Sequence, residues 1–208
     1  MDHLMRYKIS EIYPTIQGEG LLTGTPCTLV RLAGCSVGCS WCDTPYAWPF
    51  DVEGISAADV AGRWKLARES SDFVLLTGGE PGEQDLLELA AMMTAFGARL
   101  LLESAGTAPG WLRATRFFEH ICVSPKLGIK EPLEDCLRAA HELKFIIGQT
   151  TAEEVRDFLH RNKHFVRDAS VVVQPQSGMR AYQQAAIDAA RKYGWRLSLQ
   201  THKLLGLP

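Results

Sequence analysis

The stretch that decides the fold runs from residue 72 to residue 104 and reads DFVLLTGGEPGEQDLLELAAMMTAFGARLLLES. Its beginning (72–79) and its end (99–104) are continuous apolar runs of strand length, whereas 83–97 carries a broad apolar helical face. Continuous rather than alternating apolar runs are typical of parallel strands that are covered on both faces. The stretch therefore predicts two parallel strands joined by a helix in a right-handed crossover.

The same alternation of strands and helices extends over most of the chain. Further strands are predicted at 27–34, 120–126, 141–148, 170–175 and 195–200, and further helices near 56–70, 131–140, 151–162 and 180–193. A complete eight-unit barrel typically needs roughly 250 residues, and this chain has 208. We therefore expect an α/β fold built as a partial, open parallel β/α barrel of about six or seven strands, in a single domain spanning 1–208.

Composition and charge restrict the classes of partner. A hydrophobic content of 46% is ordinary for a globular core, and a formal net charge of -2 gives no reason to expect nucleic acid. No apolar run approaches the length of a membrane span, and the first 14 residues contain no apolar core of a secretion signal. We therefore expect a cytoplasmic protein with no membrane partner, whose thiols stay reduced.

Polar or glycine-bearing segments follow five of the predicted strands. They are TGGEP (77–81), ESAGT (103–107), SPK (124–126), QPQSG (174–178) and QTHK (200–203). Active sites of parallel α/β folds gather at the carboxyl ends of the strands. Any one of these segments could be only a turn, but five in series predict a lined pocket.

The six cysteines fall into two groups. Three are scattered among apolar or helical neighbours and are expected to be small buried hydrophobes: Cys27, Cys122 and Cys136. The other three lie in CSVGCSWCDT (35–44), between Gly34 and Thr44, with the spacing C-x3-C-x2-C. A structural metal site normally has four protein ligands, and cubane clusters are usually held by four cysteines. Three thiolates on one loop therefore suit a cluster with one open iron, although a zinc knuckle completed by a distant histidine stays an alternative.

Several motifs carry a resemblance to known enzymes. The three-cysteine loop, with Trp41 before its third cysteine, resembles that of the radical S-adenosylmethionine superfamily, and the segment 77–81 resembles the motif that approaches the methionine amino group. Around them stand EIYPTIQGEGLLTGTPCTLVRLAGC (11–35), WCDT, VSPK, ELKFIIG, VVVQP and LSLQTHKLLGLP, in that order. This set, from about residue 9 to Pro208, resembles the 7-carboxy-7-deazaguanine synthase family of the queuosine and deazapurine pathways.

The resemblance implies a fold of the radical S-adenosylmethionine type, a reaction and a set of cofactors. That family contracts the ring of 6-carboxy-5,6,7,8-tetrahydropterin to 7-carboxy-7-deazaguanine with loss of ammonia. It uses a [4Fe–4S] cluster, S-adenosylmethionine and Mg²⁺. A 5′-deoxyadenosyl radical would abstract the hydrogen, so no protein residue is assigned as catalytic. The implied partners are the small pterin substrate, an electron donor such as flavodoxin or ferredoxin, and a second copy of the chain in a homodimer.

The resemblance also implies the roles of individual residues. The metal ligands would be Cys35, Cys39 and Cys42 for the cluster and Thr44 for Mg²⁺. The contacts to S-adenosylmethionine would be Trp41, Cys42, Asp43, Gly79, Glu103, Ser124, Pro125, Lys126, Gln174, Pro175, Gln176 and Ser177. The contacts to the substrate would be Ile16, Gln17, Gly18, Arg31, Thr77, His202 and the terminal carboxylate of Pro208. The two-donor fork of Arg31 suits the substrate carboxylate.

Two departures and two alternatives accompany this interpretation. Gly82 and Glu83 stand where the family commonly has apolar residues, which is expected to change how the next helix begins, and ESAGT replaces the more usual ETNGT.

A glycyl-radical activating enzyme would share the three-cysteine loop, but QGEG and QTHKLLG would then lack a role. A metal-stabilised binding module is the non-enzymatic alternative.

Overall fold

The computed structural model describes residues 5–166, 168–176 and 179–207. Within that part of the chain nine strands form one sheet: β1 (Arg6–Ile16), β2 (Pro26–Leu32), β3 (Gly54–Ser56), β4 (Phe73–Gly78), β5 (Arg99–Ser104), β6 (Phe118–Val123), β7 (Glu142–Ile147), β8 (Ser170–Pro175) and β9 (Arg196–Leu197). The strand order is β3-β1-β2-β4-β5-β6-β7-β8-β9. β1 is antiparallel to β2 and β3, and all other neighbours are parallel. The predicted open, mostly parallel α/β fold is confirmed.

Six α-helices connect and cover these strands in the described ranges. They are α1 (Ala57–Ala67), α2 (Leu87–Ala95), α3 (Glu134–Ala139), α4 (Ala152–Arg161), α5 (Arg180–Tyr193) and α6 (Thr201–Leu205). α1 begins with a capping box between Ser56 and Asp59, and α4 with one between Thr151 and Glu154. None of the described helices is long and apolar enough to cross a membrane.

The two faces of the sheet have different compositions because successive side chains of a strand point to opposite faces. On the helix-covered face, alternate strand residues join the main core with Trp64, Met93 and Phe158: Val30, Leu32, Val74, Leu76, Leu100, Leu102, Leu143 and Phe145. The other face begins as a small apolar cluster of Cys27, Leu29, Leu75 and Leu101. Further along the same strands it continues with polar residues: Arg31, Thr77, Glu103, Lys144 and Gln174. The strand register thus places the polar side chains on one face, near the carboxyl ends.

The predicted six or seven parallel strands are confirmed as seven, and two further strands, β1 and β3, bring the sheet to nine. The seven predicted strands correspond to the parallel ones, although the last was predicted over 195–200 and covers only two residues. β1 was missed because it is half-buried and mixes polar with apolar residues, as an antiparallel strand does when one face is solvated. β3 has only three residues, too few for a pattern.

Two shorter elements also differ from the sequence prediction. α6 occupies residues that were predicted only as a strand-end tag. α2 begins at Leu87 rather than near residue 83, because Pro81–Glu83 forms a short 3-10 turn. Gly82 in that turn lies so close to Ala108 that an added Cβ would stand 2.2 Å from its carbonyl oxygen. Gly82 and Glu83 therefore lie in the turn that precedes the helix, and their effect on its start relative to the family pattern stays a prediction.

Candidate active site

A cavity of about 650 Å³ opens at the carboxyl ends of the parallel strands. It is lined by most of the predicted site residues: Ile16, Gln17, Gly18, Arg31, Cys39, Trp41, Cys42, Asp43, Thr44, Thr77, Gly79, Glu103, Ser124, Lys126, Gln174, Pro175, Gln176 and His202. Cys35 is half-buried and Pro125 is buried, and neither lines this cavity. Ser177 and Pro208 lie outside the described residues. The sequence motifs therefore meet at one place in the fold.

The three-cysteine loop forms one wall of the cavity. Gly34 (φ 101°) and Gly38 (φ 66°) adopt left-handed conformations that residues with a Cβ disfavour. All three thiols are free and lie in one apolar cluster with Trp41, Val37 and Ala105. Burial raises the pKa of Cys35 and of Cys39, and the backbone N–H groups of Val37 and Gly38 oppose this at Cys35. Three soft donors in one apolar cluster fit a thiolate-bound iron–sulfur cluster.

The geometry of the thiols also bears on the kind of metal group. Among the described residues, no three His, Cys, Asp or Glu side chains are gathered closely enough to hold a single metal ion. A cubane cluster does not require such convergence, because each cysteine binds a different iron. The backbone N–H of Thr44 donates to Sγ of Cys42 at 3.4 Å, and its hydroxyl lies 3.6 Å from the same sulfur. Thr44 is thus held beside the third thiol of the loop.

A buried carboxylate joins the ends of two neighbouring strands. Glu80, 1% exposed, accepts hydrogen bonds from the Ser104 hydroxyl (2.5 Å), from the Ala105 N–H (2.6 Å) and from the Gly82 N–H (3.0 Å). Burial raises the pKa of Glu80, against the lowering effect of these donors. Ser104 also accepts from the Trp111 indole N–H at 3.0 Å. The departure from ETNGT to ESAGT therefore puts a hydroxyl at the centre of this junction.

A charged network crosses the floor of the cavity and was not predicted from the sequence. The Lys144 ammonium, on a side chain 3% exposed, pairs with Glu19 at 2.5 Å and with Glu103 at 3.0 Å. The Gln17 amide donates to the other oxygen of Glu103 at 2.7 Å. Burial alone would raise the pKa of Glu19, but Lys144 and neighbouring amides outweigh it and lower the pKa to about 2. Glu19 is thereby held ionised against a buried cation that Glu103 also contacts.

A second charged group lies on the β1 and β2 side of the cavity. Arg31, with its side chain 11% exposed, donates from Nε to the Glu11 carboxylate. The same carboxylate oxygen accepts the Tyr46 hydroxyl at 2.8 Å, and the guanidinium lies 5.9 Å from the centre of the Tyr46 ring. Burial would lower the pKa of Arg31, but the pairing with Glu11 raises it. The guanidinium is therefore a fixed cation in the cavity wall.

On the opposite side a lysine lies over the cysteine loop. The Lys126 ammonium is 5.3 Å from the centre of the Trp41 ring and donates to the Ser124 hydroxyl at 2.8 Å. Burial lowers the pKa of Lys126, and the nearby charge of Lys144 acts in the same direction. Ser124 and Lys126, from the segment after β6, are thus placed beside Trp41 as a positive rim next to the thiols.

The C-terminal segment closes the cavity against the QGEG loop. The Thr201 N–H and hydroxyl both donate to the carbonyl of Gly18, at 2.9 and 3.1 Å. An added Cβ on Gly18 would stand 2.1 Å from Nδ1 of His202, so the imidazole lies directly on this glycine. The Lys203 ammonium reaches Asp43 at 2.7 Å. Three motifs that are distant in sequence therefore share one site.

The chain has an open, mostly parallel α/β sheet with a three-cysteine loop after its first parallel strand. This arrangement is the one expected of the radical S-adenosylmethionine class. No model of a known protein family matches the chain. Its sequence is 32% identical to 7-carboxy-7-deazaguanine synthase of Escherichia coli K12 over 98% of this chain and 100% of that one. It is 33% identical to the protein of the same name from Synechocystis over 97% and 93% of the two chains.

A solved structure agrees with these sequence matches. The crystal structure of QueE from Escherichia coli superposes with a TM-score of 0.78 at 27% identity, over 94% of each chain. The chain belongs to the 7-carboxy-7-deazaguanine synthase family.

Proposed function

We propose that the protein converts 6-carboxy-5,6,7,8-tetrahydropterin to 7-carboxy-7-deazaguanine with loss of ammonia, as a radical S-adenosylmethionine lyase of queuosine and deazapurine biosynthesis. Membership of the 7-carboxy-7-deazaguanine synthase family supports this reaction. The observation that carries it is the convergence of the three-cysteine loop, the QGEG loop and Arg31 on one cavity. That convergence gives the QGEG motif and the C-terminal motif a common role, which an activating enzyme would not require.

The cysteine loop would hold the cofactors. Cys35, Cys39 and Cys42 would bind three irons of a [4Fe–4S] cluster, and the open position would take S-adenosylmethionine. When bound, this pair supplies one-electron cleavage of the sulfonium and hence the hydrogen-abstracting radical. The work of the chain is to orient the cofactor beside Trp41 and Lys126 and to exclude water with the apolar cluster of the loop. Pro125, behind that wall, would act through the position of its neighbours.

The substrate would occupy the side of the cavity between β2 and the QGEG loop. Arg31 would bind the substrate carboxylate, because Glu11 already fixes the plane of its guanidinium at the cavity wall. Thr77 and His202 would flank the ring, and the Lys144 network would set the polar floor beneath it. The family resemblance assigns Glu103 to the binding of S-adenosylmethionine. Because Glu103 accepts a hydrogen bond from Gln17 of the predicted pterin loop, it would lie within reach of both ligands.

Thr44 would contribute to a magnesium site that forms with the substrate. A hydroxyl is a weak ligand, but Mg²⁺ prefers oxygen donors and retains water, so substrate oxygens can complete the shell. The position of Thr44 beside Cys42 supports this assignment. The electron donor, the homodimer and the roles of Ser177 and Pro208 stay predictions from the sequence resemblance, and the cytoplasmic location stays a prediction from the pattern of apolar residues.

An anaerobic turnover assay tests the proposed function. The protein, reconstituted with iron and sulfide, is incubated with the carboxytetrahydropterin, S-adenosylmethionine, Mg²⁺ and dithionite. We expect a product with the mass and absorbance of 7-carboxy-7-deazaguanine, together with 5′-deoxyadenosine. A Cys136→Ala variant, altered in the core rather than at the cavity, serves as the control and is expected to retain turnover. Cofactor cleavage without conversion of the pterin would contradict the proposal.

A further inference from the structure

We propose that Gln200 is a positioning residue that couples the binding of the pterin to the binding of S-adenosylmethionine. This inference rests on the proposed function. The Gln200 side chain donates from one nitrogen to Glu19 at 2.7 Å and to Asp43 at 3.0 Å. Glu19 belongs to the QGEG loop, and Asp43 directly follows the third cysteine. A single amide group therefore ties the loop predicted to hold the substrate to the loop predicted to hold the cluster.

The direction of the Gln200 amide is fixed by a third contact. The Lys203 ammonium donates to its carbonyl oxygen at 3.0 Å, and this directs the nitrogen toward the two carboxylates. An amide nitrogen has two N–H groups, so it can satisfy one acceptor in each loop at the same time. A carboxylate in this place could not donate to either, and a shorter amide could not span both. The bridge thus depends on the chemistry and the length of glutamine.

Both ends of the bridge are themselves anchored. The second oxygen of Glu19 pairs with the buried Lys144, and Asp43 pairs with Lys203. Glu19 and Asp43 both accept from the same nitrogen of Gln200, at 2.7 and 3.0 Å, so the two carboxylates lie on either side of one amide. Without the amide between them, the two carboxylates would face each other with no shared donor, and this direct link between the loops would be lost. A ligand that fixes one loop therefore favours the conformation that the other ligand needs.

Coupling of this kind is reciprocal and can be measured without turnover. If the pterin tightens the binding of S-adenosylmethionine by some factor, S-adenosylmethionine must tighten the binding of the pterin by the same factor. Allosteric couplings typically amount to roughly 5- to 150-fold. Because both loops line the same cavity and one hydrogen-bonding group joins them, we expect a factor near the lower end of that range, roughly tenfold.

Calorimetric titration of the cluster-loaded protein, without reductant, tests the inference. The dissociation constant of S-adenosylmethionine is measured with and without saturating pterin, for the wild type, Gln200→Ala and Gln200→Asn. The wild type is expected to show the roughly tenfold ratio, and both variants a ratio near one at unchanged cluster absorbance. Gln183→Ala, on the exposed face of α5, is the matched control and should keep the wild-type ratio.

The possible results separate this inference from the proposed function. A purely structural role of Gln200 would weaken both affinities and leave their ratio intact, and that result would overturn the inference. A ratio near one in the wild type, with the pterin bound, would overturn it as well. Failure of the wild type to bind the pterin at all would instead contradict the proposed function, and the inference with it.

Discussion

The amide N–H of Glu80 donates to the carbonyl oxygen of Gly34 at 2.9 Å. This bond joins the turn after β4 to the residue that precedes the first cysteine of the loop. Gly79 lies in the same contact: an added Cβ would stand 2.4 Å from the Gly34 oxygen and 2.8 Å from Cβ of Cys35. The TGGEP turn and the cysteine loop are therefore packed backbone against backbone, and the turn sets the position of the loop.

Replacement of Gly79 by alanine should displace the cysteine loop. The new methyl group would overlap backbone atoms that cannot rotate away, so we expect less iron and sulfide per chain after reconstitution and weaker visible absorbance. Gly62→Ala is the control, because a Cβ at that position of α1 meets no atom within 4 Å. It should bind the cluster normally and gain about 0.5–1 kcal/mol of stability from helix propensity. Full iron content in Gly79→Ala would contradict the contact described above.

Alanine at Cys35, Cys39 or Cys42 should abolish turnover through loss of the cluster. Each variant removes one of three thiolate ligands, and the loop contains no substitute. Iron analysis and the visible spectrum check this expectation. Cys136→Ala removes a thiol of the same type from the core, so it should cost about 1 kcal/mol of stability and keep the colour. A brown, active variant at any of the three loop positions would exclude that cysteine as a ligand.

Arg31→Ala should chiefly weaken substrate binding. Loss of a charged hydrogen bond to the carboxylate is expected to cost about 2–3 kcal/mol, measured as the dissociation constant of the pterin. Arg99→Ala removes an exposed guanidinium that binds Glu119 in a two-pronged pair at the surface, and should leave that constant unchanged. Unaltered affinity in Arg31→Ala would show that the assignment is wrong.

Thr44→Ala should reduce the stimulation of turnover by magnesium and leave the brown colour intact. The substitution removes the predicted oxygen donor but none of the thiols. Thr44→Ser keeps the hydroxyl and should retain most of the magnesium response, as seen in rates measured over a range of Mg²⁺ concentrations. Equal responses in the alanine variant and the wild type would remove Thr44 from the proposed metal site.

The ionised Glu19 should make stability depend on acid pH. Its pKa is lowered to about 2 from the ordinary 4.5, so the folded state binds this proton less readily than the unfolded chain. Its contribution to the free energy of unfolding is therefore complete above about pH 4.5 and is lost as the pH falls toward 2. Urea unfolding between pH 7 and pH 3 should show a shallower decline for Glu19→Gln than for the wild type. Identical slopes would contradict the buried pairing with Lys144.

The parallel part of the fold was predictable because buried parallel strands are continuous apolar runs, as Val74–Leu76 and Leu100–Leu102 are. β1 was not, because a half-buried antiparallel strand that contains Pro14 has no such run. β1 is defined by its pairing with β2 and with β3, and the β3 residues lie about 50 positions further along the chain, which a local pattern does not record. The capping boxes at Ser56 and Thr151, in contrast, are local chemistry, and α1 and α4 lie within the ranges predicted for them.

The candidate site, like the fold, was predictable from the sequence only in part. Motifs with their own spacing, such as the cysteine loop, located the cavity correctly. Lys144 was missed because it stands in an apolar strand, and its partners Glu19 and Glu103 are 125 and 41 residues away in the sequence. Only the strand register turns it to the cavity, away from Leu143 and Phe145. Glu80 was missed as an anchor because its partners come from the end of the next strand.

The central claim is that Cys35, Cys39 and Cys42 hold a cluster whose remaining iron is bound by S-adenosylmethionine instead of the polypeptide. Mössbauer spectroscopy of protein reconstituted with ⁵⁷Fe, before and after addition of S-adenosylmethionine, tests this most directly. We predict that one iron of the cluster changes its spectrum on addition while the three cysteine-bound irons do not. A spectrum with four equivalent irons that does not change on addition of S-adenosylmethionine would contradict the account.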